Sequence, residues 1–164
     1  MTFWQRIAAR IGAHRFVRAF GFYPPYFGSG ISVTRADRRL REIEVELRLR
    51  PWNRNYVGTH FGGSLYSMCD PFYMLMVMEN LGPGYVVWDK SATIDFLKPG
   101  RGRVHARFEL ADDQLARIRQ DLERDGKSYP RFEVTVRNEA GEAVARVGKL
   151  LSVRKRQDRR HVRL

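Results

Sequence analysis

Two glycines and a carboxylate at a fixed spacing are the residues best suited to chemistry in this sequence. Gly62 and Gly63 precede an apolar run that reaches Met78, and Asp70 lies within that run. If the glycines open a helix, their N–H groups have no internal acceptor and carry partial positive charge. Glycine also lets a bound molecule come close to that backbone. A carbonyl held there would be polarised, and the oxyanion formed from it stabilised. Asp70, about two turns along, would activate a water or attack the carbonyl carbon itself. An unpaired carboxylate beside Met68, Cys69 and Phe72 is costly, so Asp70 needs a partner or a wet site. Asn55 either orients the water or the carbonyl, or serves as a loop and cap residue.

The elements that must position these groups follow from hydrophobic periodicity. Helical spacing of Trp4, Ile7, Ala8 and Ile11 marks one or two short helices over about 2–20, ended by Tyr23-Pro24-Pro25-Tyr26, with a turn at 28–30. Ile31 and Val33, then Ile43, Val45, Leu47 and Leu49, alternate with polar residues as half-buried strands do. The stretch 52–61 reads as a loop. The stretch 62–81 is apolar nearly all round, as a buried helix is, with Pro71 bending it or removing one hydrogen bond. Strand character resumes over 85–97, 103–110, 132–136 and 143–153, interrupted by a surface helix at 112–125, where Leu115, Ile118 and Leu122 share one face. This order predicts an α+β fold, an antiparallel sheet wrapped around one buried helix. On the stretch 85–97 the face Val86, Trp88, Lys90, Ala92, Ile94, Phe96 is apolar except for Lys90. If that face covers the helix, Lys90 reaches Asp70 and keeps it charged. The opposite face, with Asp89, Ser91, Thr93 and Asp95, would then line a subunit contact or a channel.

The window from Asn55 to Pro99 carries a resemblance. It runs Asn55-Tyr-Val-Gly-Thr-His60-Phe61-Gly62-Gly63, continues to Asp70, and includes Thr93-Ile-Asp95-Phe-Leu97-Lys98-Pro99-Gly100. This is similar to the hotdog-fold thioesterases of the phenylacetic-acid-pathway type, in particular their larger and possibly tetrameric branch. The resemblance covers roughly 30–153. It implies a hotdog domain over 28–154, between an N-terminal helical extension (1–27) and a basic tail (155–164). It implies hydrolysis of an acyl-CoA thioester at a site between protomers of a homodimer or a dimer-of-dimers tetramer. Gly62 and Gly63 would supply the oxyanion hole, Asp70 the base or nucleophile, and Asn55 the orienting amide. The family's histidine falls on Phe61, and His60 stands one residue away as the candidate for its role. Phe61, Leu65 and Lys90 would bind the substrate, with the acyl chain against apolar residues such as Leu65, Phe72, Met76 and Trp88, and Lys98, Arg101 and Arg103 would meet coenzyme A, which enters as part of the substrate and not as a cofactor. A non-catalytic binder of acyl thioesters is the alternative, favoured by Phe61 at the histidine position.

Composition narrows the remaining classes. The chain has 164 residues, Lys+Arg 30 against Asp+Glu 18, a formal net charge of +12, and one cysteine. One cysteine forms no disulfide within the chain, and a cytoplasmic setting is expected. His105 and His161 have no neighbour at ligand spacing, so no metal is expected. No Gly-x-Ser-x-Gly is present, which argues against a serine-hydrolase elbow. Basic residues gather near the two ends, where they attract anions in general. No nucleic-acid motif appears, so no specific nucleic-acid partner is expected. Arginines interrupt the apolar residues of 3–20, as they would not in a secretory signal. That segment also suits an interfacial helix, although packing on the domain is the commoner fate of such a face and peripheral membrane contact is the less expected outcome.

Overall fold

The computed structural model describes residues 10–156. The periodic residues expected from Trp4 to Ala8, and residues 157–164 of the basic tail with His161, lie outside the described residues, while Lys155 belongs to the last strand. The described chain begins with α1 (Ala13–Arg18), a 3-10 turn (Ala19–Phe22) and α2 (Pro24–Ser29). The proline pair expected to end the helical region instead starts α2. Proline is tolerated in a first turn because the N–H it lacks has no partner there. Gly30, at φ 78°, closes α2 in the left-handed region.

Two strands follow, β1 (Ile31–Ala36) and β2 (Glu42–Arg48), paired antiparallel. Asp37 closes their turn, its carboxylate accepting from the amides of Arg39, Arg41 and Glu42. After the loop, the apolar run forms α3 (Gly62–Ser67) and α4 (Phe72–Leu81) rather than one bent helix. Pro71 lies at the break, where its ring is incompatible with an unbroken ladder. Then come β3 (Tyr85–Phe96), β4 (Arg103–Glu109), α5 (Asp112–Asp125), the two-residue β5 (Lys127–Ser128), β6 (Arg131–Asn138) and β7 (Ala143–Lys155).

The sheet runs β1-β2-β4-β6-β7-β3, with β5 on β7, and every pair is antiparallel. Its inner face follows the alternation in the sequence: Ile43, Val45 and Leu47 on β2, and Val104, Ala106 and Phe108 on β4, are buried. α4 packs against this face. Phe72 meets Phe108 at 5.0 Å between ring centroids, and Tyr73 stacks on Phe132 at 4.5 Å. α4 buries one face, Phe72, Tyr73, Met76 and Val77, while Met74, Leu75 and Met78 on its other side are half-buried and Glu79 is exposed. α5 lies on the surface and buries only Leu115, Ile118 and Leu122, the stripe its spacing predicts.

β3 departs from the expected alternation. Val87 is buried and Asp89 half-buried, whereas Trp88 and Lys90 face outward. A bulge between Asp89 and Ser91 inserts Lys90 as an extra residue and exchanges the two faces. Beyond it, Ile94 packs on the core and Phe96 turns toward the start of α3. β3 pairs only with β7, so its outer edge is open along its length.

Candidate functional site

The start of α3 and the end of β3 border an open cavity of about 500 Å³. Asn55, His60, Gly62 and Leu65 form one wall, and Phe96, Lys98 and Arg101 the other. Phe61 is the N-cap of α3, and its carbonyl accepts from Ser64 N at 2.9 Å and Leu65 N at 3.1 Å. The Gly62 and Gly63 amides, ahead of the first intrahelical bond, find no acceptor among the described residues. A Cβ at either position would meet one of the chain's own exposed rings, which would have to swing aside. A Cβ on Gly62 would lie 2.9 Å from Phe96 Cζ, and one on Gly63 would strike the ring of Phe61.

Asn55 and His60 shape the loop wall. Asn55 Oδ1 accepts from Val57 N (3.1 Å) and Thr59 N (2.9 Å). Its Nδ2 donates to Thr59 Oγ1 (2.8 Å) and to the His60 carbonyl (3.1 Å). Both ends of this amide are therefore committed to a side-chain turn within the loop. His60 is buried; its backbone N donates to Gly100 O at 2.9 Å, and its Nε2 lies 3.1 Å from Gly102 O. A carbonyl partner assigns the proton to Nε2, which leaves Nδ1 a buried acceptor with no partner. Burial pushes the imidazole below its usual pKa, against the opposing pull of the Gly102 carbonyl. His60 thus ties the loop to the 100–102 turn as a neutral ring.

Asp70 lies in a separate cluster, past the end of α3. Its Oδ1 receives the Tyr66 hydroxyl at 2.7 Å and the Lys149 ammonium at 2.9 Å. The side chain is 48% exposed, and its other oxygen has no partner among the described residues. Lys149 is wholly buried, and its Nζ also contacts Tyr66 Oη at 3.2 Å and Asp89 Oδ1 at 2.9 Å. The Asp89 contact is ionic and off the line of a hydrogen bond. Burial works against the Lys149 charge, yet Asp89, Asp70 and Tyr66 outweigh it and raise its pKa. Burial raises Asp89, with Lys149 pulling it down and Asp70 pushing it up.

The lysine that reaches Asp70 is therefore Lys149 and not Lys90, whose ammonium sits 4.4 Å above the Tyr129 ring. The bulge in β3 sends Lys90 outward and turns Asp89 in. A sequence signal for Lys149 exists: Ala145, Val147, Leu151 and Val153 occupy the inward positions of β7, and Lys149 is the one charged residue among them.

The remaining candidates divide by place. Leu65 is buried at the cavity wall, and Phe61 is 60% exposed beside it. Lys98 and Arg101 line the cavity; Lys98 pairs with Glu142 at 2.5 Å. Arg103 lies off the cavity and pairs with Glu46 at 3.3 Å and Glu139 at 3.9 Å. Asp95 is exposed on β3. Among the described residues, no group of three His, Cys, Asp or Glu is placed to hold a metal ion. No described helix is long and apolar enough to cross a membrane.

With this geometry, the fold is similar to several solved structures. A protein from Pseudomonas aeruginosa described as a probable thioesterase superposes with a TM-score of 0.77 at 16% identity, over 87% of this chain and 95% of that one. A protein of unknown function from Chlorobaculum tepidum gives 0.72 at 18% identity, over 88% and 95%. A thioesterase from Haemophilus influenzae gives 0.65 at 16% identity, over 90% and 94%. The chain has the hotdog fold of these structures, as the sequence resemblance implies. No curated protein sequence matches it significantly. The family model described as Domain of unknown function (DUF4442) matches residues 12–153, and the chain belongs to that family.

Proposed function

We propose that the protein hydrolyses acyl-CoA thioesters at a site shared by two copies of the chain. The observation that carries this reading is the half-exposed Asp70, anchored through one oxygen by Tyr66 and Lys149 with the other left open. A carboxylate so held is oriented to activate a water or attack a thioester carbon. The amide of Gly62, which lines the cavity, and that of Gly63 next to it would receive the oxyanion, with donors needed about 3 Å from it. Lys98 and Arg101 at the same cavity suit the phosphates of coenzyme A.

Two rulers support the division between copies. The six residues of α3 span about 9 Å, and Asp70 lies three residues past its end. Phe96 covers Gly62, and Lys149 faces Ala92 in the β3–β7 ladder, about 13 Å back along the strand. One chain's amides and its own carboxylate are too far apart to share a carbonyl. A second copy, paired along the open edge of β3, would bring its Asp70 toward the first copy's glycines. Trp88 at 64% exposure and Phe96 at 58% are the side chains such pairing would cover.

The test is thiol release from a panel of acyl-CoA esters by wild type and Asp70→Asn, a near-isosteric change. Loss of about a hundredfold or more in kcat/KM is expected. Equal, slow release by both across the panel overturns the hydrolase reading. A second reading, binding without turnover, is favoured by one observation: the rings of Phe61 and Phe96 lie over Gly63 and Gly62. It predicts affinity for acyl-CoA esters that Asp70→Asn leaves intact.

A further inference from the structure

The exposed large apolar residues fall into three sets. One belongs to β3 and its neighbours: Trp88, Phe96, Leu97 and Tyr129. The second lies around α1, α2 and the start of the loop after β2, at the end of the sheet order away from β3: Ile11 (40% exposed), Phe22 (87%), Tyr23 (48%), Phe27 (72%) and Trp52 (68%). The third, Tyr56 (105%), Val57 (71%) and Phe61 (60%), belongs to the loop at the cavity. A copy paired along β3 leaves the second set uncovered.

Local structure gathers the second set onto one platform. Tyr23 caps α2 and Phe27 follows it by one turn, so the two share a helix face. Tyr26, between them, is buried and anchors α2: its ring packs on Phe20 and Phe72, and its hydroxyl donates to Ser67 O at 3.0 Å. Asn53 ties in the loop, its Nδ2 donating to Ser29 O at 2.7 Å and to Arg48 O at 2.8 Å. Trp52 therefore stands beside the end of α2. Arg50 lies 5.5 Å over its ring.

Charge on this platform differs from that on the outer sheet face. Residues 1–36 and 48–69 contain no Asp or Glu. Arg15, Arg18, Arg50 and Arg54 are exposed and form no ion pair among the described residues. On β2 and β4, by contrast, Arg48, Arg103 and Arg107 are each matched by carboxylates, as are Arg117 and Arg124 on α5, whose Arg119 donates instead to the Asn80 carbonyl.

We propose that this platform docks on an anionic lipid surface. Phe22 and Phe27 would enter the acyl boundary, and the unmatched arginines would meet lipid phosphates. Trp52 and Tyr23, apolar rings with polar tips, suit the headgroup level. A second copy of the chain is disfavoured as the occupant, because a two-fold contact would press these arginines against their own kind. The proposal stands whether or not the cavity hydrolyses thioesters.

The test is co-sedimentation of the full chain with phosphatidylcholine vesicles, with and without phosphatidylglycerol. Binding is expected only with the anionic lipid. Phe22→Ser and Phe27→Ser should each weaken it about tenfold, and Arg15→Glu with Arg18→Glu about tenfold together. Circular dichroism should show all variants folded, since each side chain is exposed. Three results would overturn the proposal: no binding to either vesicle, binding indifferent to the phenylalanines, or single-stranded oligonucleotide binding through the same residues that vesicles do not compete away.

Discussion

Lys149→Met isolates the charge of the buried lysine at nearly constant volume. In the native chain the ammonium is enclosed and touches Asp70 and Asp89 at 2.9 Å each. Removing one partner of a fully buried pair costs about 3–5 kcal/mol, because the other charge is stranded. Here the stranded side chains are 48% and 27% exposed, so water screens much of that penalty. Methionine also fills the inward position of β7 without desolvating an ammonium. The expected loss at neutral pH is therefore about 2 kcal/mol. The pH dependence carries the sharper test. Asp89 is already raised by burial and by Asp70, with Lys149 opposing. Without Lys149 it rises further, so the folded variant binds a proton more tightly than the unfolded chain does. Its stability then falls as pH climbs from the unfolded carboxylate range, near 4, toward neutrality. Native Lys149 is raised, so its contribution is fully present below its unfolded pKa of about 10.4 and is lost above that. The variant's deficit should thus be largest near pH 7–8 and shrink toward pH 4. Urea melts of both proteins across this range measure it, and adding Asp89→Asn should recover part of the loss. A deficit independent of pH, or one growing toward acid, would refute the assignment of Lys149 as the counter-charge of this cluster.

Two further outcomes follow from geometry already described. Gly62→Ala should change stability by less than about 1 kcal/mol, because the ring its methyl meets at 2.9 Å belongs to Phe96, which is 58% exposed and can swing aside; thermal melts of variant and wild type measure it. Asp37→Ala should cost about 1–2 kcal/mol at neutral pH, because three turn amides lose their acceptor. Burial alone would raise Asp37, yet the amides of Glu42, Arg39 and Arg41 hold it below its usual pKa. Its stabilisation is present above about pH 4 and lost as pH falls through the folded pKa, so wild type and variant should converge in acid melts.

Much of the fold was legible because local periodicity and burial coincide. β2, β4 and β6 each have one buried face, and their sequences alternate with period two. α5 is amphipathic and needs only its stripe to be recognised. The prolines of α2 were misleading because the same residue ends one helix and begins another, and only the packing of Tyr26 decides between them. The spacing of Asn55, the paired glycines and Asp70 brought out a resemblance from residues within one short window.

The partner of Asp70 depended on distance in the chain. Lys149 lies 79 residues beyond it, and no local pattern joins a helix end to the last strand. A bulge in β3, visible only once β7 sets the register, reverses which of Asp89 and Lys90 faces inward. The sequence by itself thus determined which segments become helix and strand and which residue types could act on a carbonyl. Tertiary structure decided which charges meet, because register and burial arise only when distant segments pack together.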